Sequence, residues 1–152
     1  MRLQADRRAL TLLELLATLT LMSIFAAVAF SRLGPTVSKN LGAQSGGRRL
    51  TLDMLQAQRR AIATGDNHYL EFTPIGGPFT GYTIYRRAAG GSQVVESRSF
   101  TAGITVTISH PQAEFTFDGS ALAAYQVTLA ASPQTWRVTV VPVTGLPTLN
   151  KI

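Results

Sequence analysis

Few side chains in this sequence could carry chemistry. Its 152 residues include two histidines, His68 and His110, and no cysteine. Disulfide frameworks, thiolate zinc sites, CxxC redox chemistry and cysteine nucleophiles are therefore excluded. The histidines have no companions at metal-ligand spacing, and the acids closest in type, Glu114 and Asp118, are scattered. His110-Pro111 reads as a turn. There is no GxSxG elbow, no GxxxxGK loop and no dinucleotide fingerprint, so neither an enzyme nor a cofactor is expected. Gly46-Gly47 precede Arg48-Arg49 but come after no strand, so they read as flexibility rather than a phosphate cradle.

Two charge patterns remain. The first is a lone acid, Glu14, within the apolar run 9–30. A carboxylate in such a run costs about 2.5–3.5 kcal/mol at mid-membrane, less near the headgroups, and calls for a cationic partner. The second is a set of arginine pairs: Arg48-Arg49, Arg59-Arg60 and Arg86-Arg87. They help bring residues 31–152 to 11 basic against 6 acidic side chains. Gathered on one surface they are the candidate nucleic-acid contacts, with Tyr82, Tyr85 and Trp136 available for stacking. The plainer reading is a solvated surface paired with Asp53, Glu71 and Glu96, and it is preferred.

The elements that must position these groups fall into two parts. Charged residues are only 14% of the chain, which points to a segment that does not face water. Residues 9–30 contain no Gly or Pro and are rich in Leu and Ala. As a helix they span roughly 33 Å, matching a hydrocarbon core of about 30 Å. Arg2, Arg7 and Arg8 before the run place the N-terminus in the cytoplasm and the remainder of the chain across the membrane. A cleaved signal peptide, with Ala27-Val28-Ala29 as its cutting site and Phe30 as the new terminus, is one alternative. A plain signal anchor is another. Neither accounts for Glu14.

Gly34-Pro35 predicts a kink or break, and Gly42, Gly46 and Gly47 weaken helix beyond it. Residues 48–65 read as an amphipathic helix. Leu52, Leu55, Ile62 and Ala63 form its expected core face, with Arg49, Asp53, Gln56 and Arg60 outward and the Arg59 stem beside the stripe. About seven short strands come next: 68–73, 81–87, 94–100, 104–109, 114–117, 126–130 and 136–141. The fold class is α+β. A long N-terminal membrane helix precedes a small antiparallel β-sandwich packed on the helix.

The stretch Arg7-Arg8-Ala9-Leu10-Thr11-Leu12-Leu13-Glu14-Leu15-Leu16 resembles the prepilin signature of type IV pilins and type II secretion pseudopilins. The resemblance implies a leader, residues 1–9, removed on the cytoplasmic side by a prepilin peptidase cutting between Ala9 and Leu10. It implies methylation of the new terminus at Leu10, and Glu14 as the fifth mature residue. Ala9 stands where the family usually has glycine, and Leu10 where it usually has phenylalanine. It also implies that Glu14 of one subunit pairs with the Leu10 amine of a neighbour, removing two charges from lipid together.

Further along, Leu55, Arg59, Ala61, Ile62 and Gly65 before an alternating strand resemble the GspH/FimT-type pseudopilin domain. Glu114-Phe115-Thr116-Phe117-Asp118-Gly119 is similar to that family's Phe-x-Phe-Asp turn. Trp136–Pro142 resembles its closing strand, after which Thr144-Gly145-Leu146-Pro147 replaces the family's glycine and arginines. The resemblance thus implies residues 1–9 as leader, 10–33 as transmembrane and assembly helix, 34–66 as linker and amphipathic helix, and 67–152 as the β-rich pseudopilin domain. The implied function is a structural subunit of a type II secretion pseudopilus. It would be single-pass in the bacterial inner membrane, N-terminus cytoplasmic and globular domain periplasmic. Its implied partners are the peptidase, major and minor pseudopilins or pilins, and an inner-membrane assembly platform. A FimT-like minor type IV pilin in pilus assembly or DNA uptake is the alternative, and a secreted β-domain the more distant one.

Overall fold

The structure, a computed structural model, describes residues 11–152. The leader arginines and the Ala9–Leu10 junction lie outside the described residues. The fold is the expected α+β arrangement: helix α1 (Leu12–Thr64) followed by antiparallel sheets. The chain divides into two compact units between Pro35 and Thr36.

Of the kink or break anticipated at Gly34-Pro35, a break in helical structure does not occur. Gly34, Pro35, Gly42, Gly46 and Gly47 all lie within the one helical span Leu12–Thr64, with Pro35 donating no hydrogen bond to the ladder. The cost of three glycines in the later half is offset by what their missing side chains allow. Leu149 and Trp136 come down on Gly47, Leu129 and Phe100 on Gly46, and Thr101 on Gly42. A Cβ at Gly47 would stand 2.9 Å from Leu149 Cδ1. The glycines are a groove for the sheets rather than a flexible joint.

Beyond the helix lie eight strands, one more than expected: β1 (His68–Thr73), β2 (Gly81–Ala88), β3 (Gly91–Ser99), β4 (Thr105–Ile108), β5 (Gln112–Phe115), β6 (Tyr125–Ala131), β7 (Gln134–Val140) and β8 (Pro147–Lys151). They form two four-stranded antiparallel sheets, ordered β3-β2-β1-β5 and β4-β6-β7-β8. The additional strand β8 is the one following Thr144-Gly145-Leu146. It pairs with β7 in the register Val138↔Leu149, which lets Leu149 reach the helix groove.

One core joins the later half of α1 to both sheets. The helix contributes Ala43, Leu50, Met54, Ala57 and Ala61, the first sheet Leu70, Phe72, Ile84 and Phe115, and the second Val127, Leu129, Val138 and Val140. The inward face of α1 is therefore not the predicted one. Leu52 is 65% exposed and Ile62 55% exposed, while Leu50 and Met54 are fully buried. Both stripes have helical period, so periodicity alone does not choose between them. The choice goes to the stripe rich in Gly and Ala, which brings the helix backbone close to the strands.

Candidate functional site

Two regions bear the groups that sequence reading singles out. The first is the start of α1. Thr11 caps the helix: its Oγ1 accepts the Glu14 backbone N–H at 3.2 Å, and its carbonyl accepts the Glu14 and Leu15 N–H groups at 3.0 Å. Glu14 lies in the first turn, where the helix dipole favours a negative charge. The segment Leu12–Ser31 is long and apolar enough to cross a membrane, and none of it is buried within the fold. Leu12, Leu13, Leu15, Leu16 and Leu19 are all exposed. Glu14 is the sole ionisable side chain in that segment. Ser and Thr hydroxyls along it turn inward to backbone carbonyls: Thr18 to Leu15, Thr20 to Ala17 and Ser23 to Thr20, at 2.9, 2.9 and 2.7 Å. This satisfies them without water.

The second region is the unit formed by residues 36–152, and its arginines separate into two groups. Arg86 and Arg87 are engaged. Arg86 donates to Asp66 from Nε at 2.8 Å. Arg87 forms a two-pronged pair with Glu114, Nε–H to Oε1 at 3.1 Å and Nη2–H to Oε2 at 2.9 Å. Asn67 also donates to Glu114, at 2.9 Å. The Arg87 guanidinium lies 4.9 Å from the centre of the Tyr69 ring, which itself stacks on Tyr85. The glutamate's hydrogen bonds push the Arg87 pKa up. Among the described residues, Arg48, Arg49, Arg59 and Arg60 form no ion pair. Arg48, Arg49 and Arg59 are exposed on α1. The three pairs do not share one state, and the expected partners Asp53, Glu71 and Glu96 are not the ones used. Nor are the aromatics available for stacking on bases. Tyr82 is buried, Tyr85 is occupied by Tyr69, and Trp136 is half-buried beside Gly47.

Three buried polar groups escape a reading of the sequence. Asp53, expected outward, is 6% exposed. It accepts the Tyr82 hydroxyl at 2.7 Å and Arg98 Nε–H at 3.4 Å, and Arg98 also grips Glu96. Burial, then the hydrogen bond to Asp53, drives the Tyr82 pKa far above the ordinary phenol value, so Tyr82 stays a donor. Gln58 is the second. Its amide Nε2 donates to the carbonyls of Gly119 at 2.6 Å and Thr144 at 2.7 Å, clamping two loops to the helix. Gly145 has φ of +58°, and a Cβ there would lie 2.2 Å from the Gly119 oxygen. That explains why glycine occupies the position. Glu114 is the third, and its Arg87 contact is masked by its place in a strand. The only signal within the sequence is that Asp53 and Gln58 flank the Leu50, Met54, Ala57 and Ala61 stripe.

The two histidines differ in burial, His68 being buried and His110 exposed. His68 is 2% exposed, with Nδ1 3.0 Å from the Asp66 carbonyl. Burial lowers its pKa, against the Asp66 carbonyl, and the charges of Arg60 and Arg86 lower it further. His110 meets Ser109 Oγ at 3.0 Å and stands edge-on to Tyr125. Asp118 closes the Phe-x-Phe-Asp turn. Hydrogen bonds from the Thr116 hydroxyl, then the Ser120 N–H and hydroxyl, hold its pKa down to about 2. Among the described residues no three His, Cys, Asp or Glu side chains are grouped to hold a metal.

Residues 5–30 match the family described as the prokaryotic N-terminal methylation motif. No curated protein sequence matches the chain. In fold it is similar to the minor pseudopilin EpsH of the Vibrio cholerae type 2 secretion system, at 16% identity and a TM-score of 0.60, covering 72% of this chain and 95% of that one. It is similar also to the type IV minor pilin FimU of Pseudomonas aeruginosa, at 14% identity and a TM-score of 0.63, covering 75% and 92%. The chain thus carries a prokaryotic N-terminal methylation motif and a pilin-like fold. The motif implies processing by a prepilin peptidase and assembly with other pilins, and the apolar helix segment it overlaps implies a membrane anchor.

Proposed function

We propose that this chain is a minor pseudopilin, a structural and non-catalytic subunit of a secretion pseudopilus. The observation that carries the reading is Glu14: one carboxylate on an otherwise apolar, uncovered helix, inside the methylation motif. Cleavage between Ala9 and Leu10 creates a methylated ammonium at Leu10, and Glu14 of an adjacent subunit neutralises it. Two charges leave the lipid as one pair, and subunits are set at a fixed axial offset. The precursor sits single-pass in the inner membrane, its leader arginines in the cytoplasm and its β-domain in the periplasm. The buried polar groups support a structural role, since Asp53, Gln58 and Glu114 each tie separate elements together.

Mass spectrometry of the chain from cells with an active peptidase is expected to find a methylated Leu10 terminus. Glu14→Ala is expected to abolish co-assembly with other pilin-like subunits, with the β-domain still protease-resistant. Normal assembly of Glu14→Ala would sink the charge-pairing mechanism.

A second reading, a FimT-like minor pilin contacting DNA, draws support from the exposed Arg48, Arg49 and Arg59. Against it stand the engagement of Arg86 and Arg87 and the apolar residues Val143 and Leu146 in the loop before β8.

A further inference from the structure

The outer face of the second sheet differs in chemistry from that of the first. In β4-β6-β7-β8 the side chains of Val127, Leu129, Val138 and Val140 build the core, so their neighbours along each strand point away from it. The register sets Thr107, Thr128, Arg137 and Asn150 in one line across the four strands. Gln126, Thr139 and Thr148 form the next line. All of them are exposed or half-buried.

Threonine suits a strand, and a hydroxyl-rich outer face alone means only solvation. Charge makes the difference. The four strands contain no Asp or Glu. On the first sheet Arg87 is matched by Glu114. Arg137 forms no ion pair among the described residues, and its Nε is shielded from solvent without an acceptor. Of the hydroxyl and amide side chains in the two lines, Thr148 alone is engaged among the described residues, by the Thr139 carbonyl. An arginine fork, which matches a planar carboxylate, is thus set among free hydroxyl and amide groups.

A ligand that fits carries negative charge at intervals and many hydroxyls. Nucleic acid is held by several cations together, and the two lines contain one. A bilayer surface takes projecting apolar side chains, and the two lines contain none. A chain of acidic sugars meets both requirements. Neighbouring strands are about 4.8 Å apart, close to the advance of one sugar unit in an extended glycan, so a glycan lying across the strands meets one strand per sugar.

We propose that this face binds a uronic-acid polysaccharide, its carboxylate held by Arg137 and its hydroxyls by Thr128, Thr139 and Asn150. The site lies within the unit formed by residues 36–152 and goes beyond the assembly reading, which does not depend on it.

The test uses the full-length chain in a detergent without a sugar headgroup, titrated calorimetrically with hexagalacturonate and with its carboxyl-reduced, neutral counterpart. The acidic oligomer is expected to bind at least about tenfold more tightly than the neutral one, as a charge-assisted hydrogen-bond pair provides. Arg137→Gln should remove that preference. Thr128→Val with Thr139→Val should weaken both oligomers about three- to tenfold. Thr83→Val, beside Ser97 on the first sheet, should change neither. Failure of both oligomers to bind overturns the proposal, as does a preference for the acidic one that survives Arg137→Gln. Equal affinities on the unaltered chain overturn it even if Arg137→Gln does not fold. Equal losses from Thr83→Val and from the threonine pair place binding elsewhere and overturn it too, as does tighter, steeply salt-dependent binding of duplex DNA that Arg137→Gln abolishes. None of these outcomes bears on Leu10 methylation or on Glu14→Ala, so the assembly reading stands or falls separately.

Discussion

Asp53 shows how one side chain can look like surface and act as a rivet. By type and spacing it belongs with the polar residues of an amphipathic helix, yet it is buried with the Tyr82 hydroxyl and the Arg98 guanidinium upon it. Removing one member of such a cluster leaves the others desolvated without a partner. Asp53→Ala is expected to destabilise the domain by about 2–4 kcal/mol, and Tyr82→Phe by about 1–2 kcal/mol, read from chemical denaturation. The double variant should cost less than the two losses added, because they share one interaction. Equal and additive losses would mean that the hydrogen bond contributes nothing. Glu14 is legible for the opposite reason: its surroundings are apolar in sequence as well as in space, so a single acid stands out. Asp53, Gln58 and Glu114 are not legible because their partners lie 27 to 86 residues away, beyond the reach of any local spacing rule.

At the scale of elements, the strands are the readable part. Alternation marks β1 and β2 nearly to the residue, since each faces the core on one side. The short strand β8 escapes because Pro147-Thr-Leu-Asn-Lys151 has neither alternation nor β-branched richness, and it exists through pairing with β7. The helix is legible, but its buried side is not, and its glycines resemble a break until the side chains that fill their groove are seen. A direct measurement separates the two stripes. Met54→Ala should cost about 2–5 kcal/mol in stability, whereas Leu52→Ala should change it by less than about 0.5 kcal/mol. Comparable losses at both positions would contradict the burial of the Gly- and Ala-rich face.

For the domain as a whole, His68 couples stability to acidity. Its folded pKa lies below the ordinary value of 6.5, so below that value the unfolded chain binds more protons than the native one. This group's contribution therefore makes stability fall as pH drops from 7 through 6.5 and below, until the pH passes its folded pKa. The limiting slope is about 1.4 kcal/mol per pH unit. Denaturation of His68→Gln between pH 7 and pH 5 should show a shallower decline than the parent, and an unchanged slope would assign the effect to other groups. The fold also has an order of completion written into it. Gly47, in the later half of the earliest element, is closed by Leu149 from the strand latest in sequence. A ribosome that has delivered everything through Val140 has built a helix whose notch is still open. Until β8 zips onto β7, the domain is a vessel without its stopper, and a chain shortened at residue 146 should be found by proteases before it is found by any neighbour.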